Sequence, residues 1–218
     1  PLAAFNQLFP PTASRLYEKG NINELQANYE AVTRWSFTIA IFPFGVMCVY
    51  SHQILSLFGT GFEDGSIVLI TFAVAQLLNG LAGPSGNLLT MTNHQYMNMI
   101  NQWALGILNV VLNYIFINSF GIIGAALATA GVLSLINFIR VIEVWYTESF
   151  FPYSHSFWKP LAAGLSATVA VALFSQIYTG LLYLVLGCLI GSIIFISLLY
   201  LFGIEEQDKA IIEGLSDR

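Results

Sequence analysis

The sequence predicts an all-α, polytopic bundle of transmembrane helices, six spans plus the tail of a truncated helix, and three observations carry that prediction. Only 9% of the 218 residues are charged and 56% are hydrophobic, against about 25% charged in an ordinary soluble domain. No Asp, Glu, Lys or Arg lies between Trp35 and Phe62, between Gly65 and Ile139, or between Pro160 and Ile204. About 20 helical residues cross a hydrocarbon layer of roughly 30 Å, so each stretch can span and the middle one can do so about three times. Finally, the basic residues all fall on one side of a six-span topology.

Each element follows from hydropathy and breaker residues. Pro1–Pro11 is apolar but too short to span, and reads as the tail of a helix whose beginning lies outside the sequence. Beyond Gly20, Asn23 is the expected N-cap of an amphipathic helix running into the membrane at Arg34 and Trp35, an interfacial anchor pair. Spans are expected at roughly 35–58, 66–91, 97–118, 121–142, 159–178 and 181–203. The hairpins close at Gly59-Thr60-Gly61 with Glu63 and Asp64, at Thr92–Gln95, at Asn118–Gly121 and at Thr179-Gly180. The resulting organisation is 1–34, helix tail and amphipathic linker; 35–142, four spans; 143–158, polar linker; 159–204, two spans; and 205–218, a charged tail.

Six spans put both termini on one side, together with Arg15, Lys19, Arg34, Arg140, Lys159, Lys209 and Arg218. The opposite loops carry only Glu63 and Asp64. By the positive-inside rule both termini are expected in the cytoplasm, which makes this a multi-pass protein of the cytoplasmic membrane. The seven basic residues form no cluster, which argues against a nucleic-acid partner.

Within the bundle, small residues at spacings of three and four run from Gly121 through Gly124, Ala125, Ala128 and Gly131, and again at Gly187 and Gly191. Such residues let helix backbones approach closely in lipid. Cys48 and Cys188 sit in separate apolar runs and read as core residues. Pro84, within Gly83-Pro84-Ser85-Gly86-Asn87, should kink or unwind the second span, and Pro43 should bend the first.

Enzyme chemistry finds no foothold. His52, His94 and His155 are scattered, no Ser/His/Asp grouping or phosphate loop appears, and no catalytic residue, metal ligand or cofactor is expected. The interior is amide-rich instead. Gln76, Asn79 and Asn87 are spaced to share one side of the second span, unless the Pro84 kink turns Asn87 away; Gln102, Asn109 and Asn113 share a face of the third, and Asn101 points elsewhere. Two readings stay open: interhelical hydrogen bonding, or the wall of a polar cavity touching a hydrophilic substrate. The second makes Gln76, Asn79, Asn87, Asn109 and Asn113 the substrate-path candidates.

The stretch from Asn109 through Asn113 to Gly121, Gly124, Ala125, Ala126, Ala128 and Thr129 resembles the N-x-x-x-N … G-I-x-G-A-A-x-A-T signature of oligosaccharide flippases. These form the Wzx-like branch of the multidrug/oligosaccharidyl-lipid/polysaccharide exporter superfamily. Phe9-Pro10, Ser14–Gly20 and Ile54–Gly59 agree in order, so the resemblance covers most of 1–159. It implies the second lobe of a two-lobed transporter. Such a protein moves a lipid-linked oligosaccharide across the membrane by alternating access, with the missing N-terminal lobe and the bilayer as partners. Basic residues meeting the lipid-linked pyrophosphate are then expected mainly in that other lobe, with Arg34 and Arg140 as snorkelling anchors. A cation-coupled multidrug exporter of the same superfamily and a non-transporting six-helix subunit are the alternatives.

Overall fold

The computed structural model describes residues 2–177 and 180–203; the tail with Lys209 and Arg218, and Thr179 of the last turn, lie outside them. Among the described residues the chain is helical with no strand. The helices are α1 (Leu2–Glu18), α2 (Ile22–Ser56), α3 (Ser66–Ala82), α4 (Ser85–Met91), α5 (Gln95–Glu148), α6 (Trp158–Ile177) and α7 (Leu181–Phe202). Five segments are long and apolar enough to cross a membrane, with α3 and α4 forming one of them.

One of these segments crosses twice. Helix α5 has 54 residues, and at Gly121 its backbone leaves the helical region (φ 59°, ψ −136°). A straight helix of that length would place residues 42 apart at about 63 Å. Yet Asn101 bonds Glu143 at 2.7 Å, Asn98 bonds Arg140 at 3.0 Å, and Asn113 bonds Thr129 at 3.4 Å. All three pairs are centred close to Gly121. The two limbs therefore form a tight antiparallel hairpin, which makes six membrane-length passes among the described residues. The positive φ explains the glycine, since an L side chain at that position would be strained. Gly124 faces the turn so closely that a Cβ there would run into the Phe116 carbonyl.

The second span is broken, not merely bent. Gly83 adopts φ 58° and ψ −147°, a Cβ on it would strike Thr33, and Pro84 caps the short α4. Helix α2 contains Pro43, but the residue outside helical dihedrals is Tyr50 (φ −108°, ψ 20°), about two turns further on. Tyr50 is buried, and its hydroxyl fills the space a Cβ on Gly187 of α7 would need.

Two corrections concern boundaries. The N-cap position of α2 is Asn21, not Asn23. Gly20 turns left-handed (φ 70°) and the Asn21 N–H bonds the Leu16 carbonyl at 3.0 Å, so the α1–α2 turn finishes two residues earlier. The second limb of α5 runs to Glu148, past Ile142, which leaves 149–157 as the connector to α6. Glu143 and Glu148 are tolerated in this helix because each meets a partner: Asn101, and His94 at 3.4 Å.

Two cores hold the bundle. At the end that carries Arg15, Arg34, Arg140 and Lys159, Phe9, Leu25, Tyr29, Leu88, Leu89 and Val144 pack α1, α2, α4 and the last turns of α5 together. Deeper in the bundle, Phe37 and Ile41 of α2, Ala163 and Ala167 of α6 and Phe195 of α7 form the second. The connector closes the first end. Phe157 stacks on Phe37 at 4.8 Å, and Arg34, only 5% exposed, donates to the Ser154 hydroxyl at 3.3 Å. Arg34 is thus folded into the protein and does not reach out to the interface. Burial pushes the Tyr153 phenol in the same connector above its ordinary range and keeps it neutral.

Candidate functional site

Amide side chains inside an apolar bundle need partners, because an unpaired one costs on the order of several kcal/mol in hydrocarbon. The structure sorts them into three groups along the α3–α4–α5 face.

The middle group lies on α3 and the second limb of α5. Asn137 donates through Nδ2 to Asn79 Oδ1 at 3.2 Å, and Asn79 donates in turn to Gln76 Oε1 at 3.5 Å. Asn137 is buried, Asn79 half-buried and Gln76 exposed. The three therefore lead from the interior of the bundle to its surface. Gln76 and Asn79 come together because residues three apart sit one above the other on a helix. Asn137 was not singled out in the sequence, although an amide in the apolar run Leu133–Phe138 satisfies the same criterion that selected Asn79.

Nearer the Gly121 turn, Asn113 Nδ2 donates to the Asn109 carbonyl at 2.9 Å, to Asn109 Oδ1 at 3.1 Å and to Thr129 Oγ1 at 3.4 Å. This group ties the two limbs of the hairpin. Thr129 lies about 12 Å along the helix from Asn137, so Asn109 and Asn113 are separate from the middle group. Gln102 is exposed.

The third group fixes the broken helix. Asn98, 8% exposed, donates to the Gly86 carbonyl and to Thr90 Oγ1, both at 3.1 Å, and its Oδ1 accepts from Arg140 Nε at 3.0 Å. One amide thereby uses both of its ends to bind α4 to both limbs of α5. Arg140 lies against Gly86, where a Cβ would come within 3.0 Å of the guanidinium carbon. One turn on, Asn101 donates to both Glu143 oxygens at 2.7 Å, a distance typical of charge-assisted bonds. Ser85 at the start of α4 pairs with the Tyr29 hydroxyl at 2.8 Å. Asn87, on α4, is half-buried. Arg140 is thus a structural clamp as well as a terminal charge.

Among the described residues no three His, Cys, Asp or Glu come together as a metal site. Among the described residues, the amide line reaches the surface at Gln76.

No family model matches the chain. Over 199 residues it is 29% identical to a Haloferax volcanii protein named probable low-salt glycan biosynthesis flippase Agl15, a match covering 87% of this chain and 41% of that protein. The chain thus spans about two fifths of the length of that curated relative. Its fold matches a solved structure of the lipid II flippase MurJ in an inward closed conformation with a TM-score of 0.70, at 18% identity, over 92% of this chain and 44% of the other. In sequence and in fold this chain is therefore similar to less than half of a flippase.

Proposed function

We propose that this chain forms one lobe of a membrane transporter that moves a lipid-linked oligosaccharide across the cytoplasmic membrane for polysaccharide or glycan biosynthesis. The reading rests chiefly on the match to a glycan-biosynthesis flippase, whose 87% coverage takes in α3, α4 and α5, the helices that carry the amides. Its physical content is a hydrophilic path for sugars while the lipid tail stays in the bilayer. Uncharged carboxamides suit that task, because they exchange hydrogen bonds with sugar hydroxyls without the desolvation penalty of a full charge. In this reading the basic end faces the cytoplasm, both termini of the segment lie there, and a second lobe packs across the path. Alternating access moves the two lobes against each other.

The test uses the full-length natural polypeptide in proteoliposomes with a lipid-linked saccharide tagged on its sugar, scored by quenching from outside. Asn79→Leu and Asn113→Leu should each slow flipping while insertion and thermal stability persist. Unchanged rates would remove these two residues from the path, and absence of flipping by the unaltered protein would remove the transport reading itself.

A further inference from the structure

The amide line on α3 has a direction, and the direction says what Gln76 offers. Asn137 spends its N–H on Asn79 Oδ1, and Asn79 spends its own on Gln76 Oε1. Gln76 is thus held through its oxygen, which leaves its Nε2 group, with two N–H donors, at the exposed end and unpaired among the described residues. One turn away on the same face of α3, Phe72 is exposed and apolar. A lone pair of donors on such a surface is expensive in lipid and useful beside a polar group.

We infer that Asn137 is a positioning residue which, through Asn79, holds the Gln76 carboxamide with its N–H donors outward to meet acceptor oxygens of the transported saccharide. This rests on the transport reading above and adds to it the direct contact, Gln76, the residue that orients it, Asn137, and the group on the substrate, a hydroxyl, ring or carbonyl oxygen. The side chain that reaches the substrate is on α3, while the one that fixes its orientation is on the second limb of α5. A shift between these elements therefore turns the donors on or off.

A double-mutant cycle tests it in the full-length protein, with the initial flipping rate followed against the membrane fraction of a sugar-tagged lipid-linked saccharide. Gln76→Ala should raise the apparent KM about fivefold, the value of one good hydrogen bond, with kcat little changed. Asn137→Ala should raise it by a similar factor, and the double variant no further, because Asn137 acts only through Gln76. Asn137→Leu roughly keeps the volume and has no donor for Asn79 Oδ1, so it should show the same rise and guards against a packing artefact in the alanine variant. Additive effects, an unchanged KM in Gln76→Ala, or a loss of thermal stability without a change in KM would overturn the assignment. The last result would mean that Gln76 packs against another protein segment. If the unaltered protein does not flip the probe, the transport reading and this inference fall together. If it flips and the cycle is additive, only the inference falls.

Discussion

Two halves of this bundle are held together by different physics. Helices α6 and α7 join α2 through close backbone approach. Gly164 faces Ile41, Gly187 faces Tyr50 and Phe174, and Gly191 faces Val171 and Phe42. The hydroxyls of Thr168, Ser175 and Ser192 turn back onto their own helices, to Gly164, Ala172 and Cys188. Helices α3, α4 and α5 instead meet through side-chain hydrogen bonds that cross between elements: Asn79 with Asn137, Asn98 with Gly86 and Thr90, and Asn101 with Glu143. Close packing has one good arrangement and loses contact steeply when displaced. Amides can exchange one acceptor for another. The first half is built to stay, and the second to re-pair.

That contrast breaks most readily at the glycines. Gly191→Leu should overpack the α2–α6–α7 contact by about 2–3 kcal/mol, seen as a fall in melting temperature and in monodisperse yield of the full-length protein. Next comes Asn98→Ala, which deletes three bonds and leaves Arg140 without its amide partner; about 1–2 kcal/mol is expected, read by the same melt. Protease sensitivity should rise around Gly83-Pro84 in that variant, because α4 has lost its tie to α5. A melt that drops as far for Asn98→Ala as for Gly191→Leu would erase the distinction between the halves. The smallest effect belongs to Ser192→Ala, about 0.5 kcal/mol or less, since its hydroxyl only supplements a helix that is already bonded.

The breaks between helices were legible in the sequence because they are local. Gly59 to Gly61, Gly83-Pro84, Asn93-His94 and Gly121 each mark a place where the backbone cannot continue as a helix, and no distant residue is needed to say so. The amides were legible as residue types, but their grouping was not. Gln76 and Asn79 meet through helical spacing alone, whereas Asn79 and Asn137 meet only once α5 has folded back at Gly121. Arg34 and Arg140 read as surface anchors by their place near span ends, and their tertiary partners, Ser154 and Asn98, depend on that same folding. The distortion at Tyr50 had no local signal at all. Pro43 drew attention to α2, yet Tyr50 is the residue outside helical dihedrals, and its ring lies against α7, whose glycine makes room for it.

The Gly121 turn also bears on how the chain enters a membrane. The Asp, Glu, Lys and Arg residues of α5, namely Arg140, Glu143 and Glu148, all lie on its second limb at the end away from the turn, and no residue of these four types lies between Gly65 and Ile139. The hairpin can therefore be inserted tip first, as one unit, with no charge dragged through the hydrocarbon. With the basic end in the cytoplasm, as proposed above, the tip that crosses is Asn118, Ser119, Phe120 and Gly121, and Asn118 and Ser119 already bond the Tyr114 and Ile115 carbonyls within their own limb. The α2–α3 hairpin has no such route, because Glu63 and Asp64 sit at its tip and must be carried across or neutralised on the way. Of the two hairpins, the one that holds Asn98, Asn101, Asn113 and Asn137 is the easier to put into the bilayer.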